Sequence, residues 1–128
     1  MTLGQKFKRF MSNHTETSDE HPLSELKSHY YKSTNAQVFQ ALEAMLSGHA
    51  SYQVTSVSAE RGEISANITM PKKAFLVATV ISIRPFETAV DFNVTTETAL
   101  PTDFGYSEKT VFSLYDELDK QLPRIDRS

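Results

Sequence analysis

The chain reads as an α+β domain, with an antiparallel sheet of four to five strands and two helices packed on one face. Three observations predict this. Residues 63–70 set Ile64, Ala66, Ile68 and Met70 between polar neighbours, the period of a strand with one buried side. Two more β-rich runs, 74–83 and 88–96, follow across short turns, and consecutive strands on short connections pair antiparallel. Amphipathic helical patterns flank this block, and their apolar stripes need a sheet face to cover.

The elements follow in order. Leu3, Phe7, Phe10 and Met11 fall at i, i+4, i+7 and i+8 among Lys6, Lys8 and Arg9, the pattern of a short amphipathic helix. Residues 12–20 are polar and acidic and read as a linker. The expected organisation is therefore a flexible arm over 1–21, one domain over 22–123 and a tail over 124–128. Residues 26–32, with His29, Tyr30 and Tyr31, are expected as a first short strand, with a helix from Pro22 as the competing reading. Thr34 and Gln37 have the spacing of a capping box. Val38, Leu42, Met45 and Leu46 continue it as an apolar stripe, and Gly48 is a natural stop.

Residues 51–57 read as a modest strand, 60–62 as a turn and 63–70 as a strand. Pro71 opens the next turn. In 74–83, β-branched density favours a strand, with Phe75, Val77, Thr79, Ile81 and Ile83 expected to face the helices. Residues 84–86 turn the chain. Thr88, Val90, Phe92 and Val94 then face one way. Ser107 is expected to cap the last helix, with Tyr106 and Val111 as a hydrophobic staple. Val111, Leu114, Tyr115, Leu118 and Leu122 form its stripe, and Pro123 ends it.

Composition narrows the function classes. A chain of 128 residues is large enough for one core. Its net charge of −3 argues against general nucleic-acid binding, which needs a basic footprint. With no cysteine there are no disulfides, thiolate nucleophiles or zinc–thiolate sites. That composition fits a reducing cytosol, and a cytoplasmic location is expected. No run reaches the roughly 18 apolar residues of a membrane span, and the basic start lacks the apolar core of an export signal.

Chemistry-bearing motifs are scarce. His14, His21, His29 and His49 show no metal-ligand spacing, so no metal or other cofactor is expected. There is no Gly-x-Ser-x-Gly elbow and no glycine-rich phosphate loop, so catalysis is not expected. The adjacent Tyr30 and Tyr31 point to opposite sheet faces, leaving one free for contact. With the phase given above for 74–83, Leu76 and Val80 form a small apolar patch on the open face.

The segment Asp103-Phe104-Gly105-Tyr106-Ser107, running into Val111, Phe112 and Leu118, resembles the closing motif of a bacterial family known as domain of unknown function 1499. That motif is an Asp-x-Gly-x-Asn turn, then a final helix with a basic residue before its first apolar position. Asp103 and Gly105 match. Ser107 stands for the Asn and Thr110 for the basic residue, with Lys109 one place early. The element order over roughly residues 30–120 is similar too. The resemblance implies this fold and no particular activity. Independently, Gly105 can take a positive φ in the turn, and Asp103 can accept amide protons at the helix start.

The functional expectation is a non-catalytic binding module that uses the open sheet face around Leu76 and Val80, with a protein partner or a second copy as occupant. Phe7, Phe10, Lys6, Lys8 and Arg9 form a candidate docking arm, with membrane contact through residues 1–12 as a lesser use. The alternative is a small-molecule or lipid carrier with a pocket between sheet and helices.

Overall fold

The computed structural model describes residues 13–98 and 102–125. Its elements are β1 (His14–Glu16), a 3-10 turn (Ser24–Leu26), β2 (His29–Tyr31), α1 (Asn35–Ser47), β3 (Tyr52–Ser58), β4 (Glu63–Ile68), β5 (Ala74–Arg84), β6 (Glu87–Thr96), α2 (Tyr106–Gln121) and β7 (Arg124–Ile125). The strands form one antiparallel sheet in the order β3-β4-β5-β6-β2-β7, with β1 also paired to β6. Two helices and an antiparallel sheet therefore match the expected class, but the described residues form seven strands.

The additional strands are β1 and β7. Each is too short to show a period in sequence. Residues read as linker thus include a strand, and Arg124–Ile125, read as tail, pairs with Tyr30 and Tyr31. β5 occupies one edge of β6, so β1 and β2 lie end to end along the other. Between them the chain leaves the sheet and returns, closed at its neck by Ser28 N–H donating to the Ser18 carbonyl. Asp91 Oδ1 accepts from both Thr17 and Ser28 and pins the two sides of this excursion.

Local rules explain both helices. Thr34 Oγ1 accepts from Gln37 N–H, and Gln37 Oε1 accepts from Thr34 N–H, completing the capping box. At α2 the carboxylate of Asp103 accepts from the backbone N–H groups of Gly105 and Ser107. Gly105 precedes the helix at φ 86, a left-handed conformation that suits glycine. Val38, Phe39, Leu42, Met45 and Leu46 of α1 share one core with Val111, Leu114, Tyr115 and Leu118 of α2. The same core takes Ile64, Ala66 and Ile68 from β4 and Val90, Phe92 and Val94 from β6. Met70, expected inward, lies beyond the end of β4 and is exposed.

Candidate functional site

Register decides which face of β5 is free. Ala74, Leu76, Ala78 and Val80 are paired across β4 and β6 with Ile68, Ala66, Ile64, Val94, Phe92 and Val90, all on the helix side. Leu76 and Val80 are therefore core residues, at 0% and 4% exposure, and not the open patch expected of them. The open face instead carries Phe75 (42% exposed) and Ile81 (44%), with Val77 and Thr79 between them.

The cause is a bulge. Arg84 is paired with Glu87 across the turn, but Ser82 is paired with Thr88, so Ile83 is an extra residue on one strand. Without it the hairpin would set Phe92 opposite Thr79 and put the odd-numbered residues of β5 inside. A one-residue shift in register moves every side chain to the other face. Small residues then serve the core, because Ala66, Ala74 and Ala78 let the helices approach the sheet.

The open face is an apolar column in a polar field. Phe75 lies between Asn67 and Thr95, Val77 between Ser65 and Asn93, and Thr79 between Glu63 and Asp91. Among the described residues, no helix covers this column. Ile83 at the bulge and Phe86 in the turn extend it as exposed apolar side chains. Phe86 takes φ 61, the sign of φ at the third position of a type II turn, with Pro85 before it.

The tyrosine pair is not a contact surface. Tyr31 is fully buried on the helix side, and Tyr30, although on the opposite face, is buried too, with its hydroxyl donating to Asp19 in the excursion. Tyr31 instead belongs to a polar network that sequence reasoning missed. Asp119 Oδ1 accepts from the Tyr31 hydroxyl at 2.7 Å and from His29 Nδ1 at 3.0 Å, and Oδ2 accepts from Arg124 at 3.1 Å. The imidazole stacks on Tyr115, ring centroids 3.6 Å apart. Burial lowers the His29 pKa, against the opposing pull of Asp119. Burial and then Asp119 push the Tyr31 pKa far up, so its hydroxyl stays a donor. A carboxylate-oriented imidazole can move protons. However, no serine or threonine hydroxyl bonds to His29 among the described residues. The signal for this network was three distant residues, His29, Asp119 and Arg124, with no common spacing.

Asp103 and Gly105 hold the turn as expected, and Thr96 Oγ1 also donates to Asp103 at 2.7 Å. Ser107 is not the cap. It lies inside the first turn of α2, and its hydroxyl bonds Thr15 of β1 at 2.8 Å. It ties the first strand to the last helix. Phe7, Phe10, Lys6, Lys8 and Arg9 lie outside the described residues.

A second feature is a cleft of about 350 Å³ between the sheet and the start of α2. Tyr52, Ile68, Met70, Tyr106, Lys109 and Ser113 are among its walls. Burial, followed by the charge of Glu117, raises the Tyr52 pKa to about 12. Among the described residues, no group of histidine and acidic side chains could hold a metal ion, and no helix is long and apolar enough to cross a membrane. No family model, curated protein or solved structure matches the chain.

Proposed function

We propose that this protein is a non-catalytic binding module whose working surface is the open face of the sheet. The observation that carries the reading is the column Phe75, Val77 and Ile81, presented on a central strand and bordered by polar side chains. A central strand is rigid and its backbone is fully paired, so association there uses side chains alone. An apolar centre with a polar rim is the layout of an interaction surface. A second copy is the simplest occupant, because a two-fold contact needs only one such patch. The arm with Phe7, Phe10, Lys6, Lys8 and Arg9 is proposed as an accessory docking segment. Because the chain lacks cysteine, we place the module in a reducing compartment, the cytosol.

Light scattering over a concentration series tests this. The wild-type mass is expected to rise towards a dimer, and Ile81→Asp is expected to stay monomeric with an unchanged circular dichroism spectrum. A wild-type monomer at high concentration, with no specific capture by the immobilised protein, contradicts the reading.

The cleft between sheet and helix favours a second reading, a small-molecule carrier. Its volume is within the range of ligand pockets. Native mass spectrometry should then find retained small molecules, and bare protein alone counts against it.

A further inference from the structure

We infer that the cleft at the start of α2 takes a small carboxylic acid with a flat apolar body, an assignment that rests on the carrier reading. The polar groups along it point to an anion. Lys109 on its wall is exposed, and among the described residues no carboxylate pairs with it. His49 also lines the cleft, and its Nδ1 accepts the Ser51 backbone N–H at 3.2 Å. The neutral ring therefore carries its proton on Nε2, as a donor. Tyr52, with its pKa near 12, keeps its hydroxyl proton and is a third donor. No Asp or Glu is among the described lining residues.

The remaining walls set the body of the ligand. Ile68, Met70 and Pro71 are apolar, and the rings of Tyr52 and Tyr106 offer flat surfaces. Tyr106 is fixed, because its hydroxyl donates to the Lys72 carbonyl at 3.0 Å and the Lys72 ammonium lies 5.6 Å from its ring centroid. A charge-assisted bond to an ammonium is strong enough to separate an acid from its neutral analogue.

Calorimetric titration of the full chain with phenylacetate, phenylacetamide and phenethylamine tests the assignment. Phenylacetate is expected to bind saturably and about ten-fold or more tighter than the other two. Lys109→Gln is expected to remove that preference and leave the fold intact by circular dichroism, since Lys109 is exposed. Equal binding of all three, or an unchanged phenylacetate affinity in Lys109→Gln, overturns the anion assignment but keeps the carrier reading. Preference for the amine does the same. Binding by none of the three overturns the assignment and removes the support for a carrier.

Discussion

The two faces of β5 differ more than their sequences do. One carries Ala74, Leu76, Ala78 and Val80, the other Phe75, Val77, Thr79 and Ile81. By bulk the second set is the better core, yet the first set is buried, while Phe75 and Ile81 of the second are exposed and Val77 and Thr79 half-buried. The face of a strand is thus set by register with its neighbours, and its own composition is secondary. One extra residue at Ile83 turns the bulkier side outward. Surplus apolar surface on a rigid central strand is then available for association.

The same charge placed on each face of β5 should have very different effects. Leu76→Asp buries an unpaired carboxylate and should destabilise the fold by about 4 kcal/mol or more, enough to unfold a small domain. Ile81→Asp should change stability by only about 0.5–1 kcal/mol, because its side chain remains in water. Urea titration checks both, and equal losses would refute the assignment of faces.

Gly62 tests the frame that holds β5 in place. Its φ is 69, and a Cβ there would come within 2.4 Å of the Val80 carbonyl oxygen. Its own carbonyl accepts the Val80 N–H at 2.7 Å. Gly62→Ala should therefore lower stability by about 2 kcal/mol or more in the same titration. A neutral result would mean that the turn does not lock against β5.

The smallest effect belongs to the far end of the sheet, where the polar network replaces apolar packing. The folded-state pKa of His29 lies below its usual 6.5. The unfolded chain therefore takes up the proton first as pH falls. Stability from the neutral imidazole is complete above about 6.5 and declines as pH drops through that value towards the folded-state pKa. Thermal melts across this window should show the decline in the wild type and a weaker one in His29→Gln. Identical pH profiles would remove His29 as the cause.

Much of the architecture is legible in the sequence. The strict alternation of Ile64, Ala66 and Ile68, the Thr34–Gln37 pair and the Asp103–Gly105 turn each carry a local rule, and each is realised locally. The phase of β5 is not legible, because both parities are apolar and the deciding bulge has no side-chain signature. Ser107 has the chemistry of a cap, but it lies inside the first turn of α2, and Asp103 accepts the Gly105 and Ser107 amides at the helix start. β1 and β7 are too short to show a pattern, and Tyr30 is buried by an excursion that local spacing does not reveal. The His29–Asp119–Arg124 network and the cleft at Lys109 both depend on residues brought together only by the fold. Neither could be read before the topology was known.

Because the chain has no native cysteine, single substitutions to cysteine report exposure directly. The decisive measurement is the rate of thiol labelling in Phe75→Cys, Leu76→Cys, Val80→Cys and Ile81→Cys under native conditions. Rapid reaction at 75 and 81, with protection at 76 and 80 until the protein is unfolded, is the predicted result. Protection at 75 and 81 with rapid reaction at 76 and 80 would reverse the sheet and remove the proposed surface.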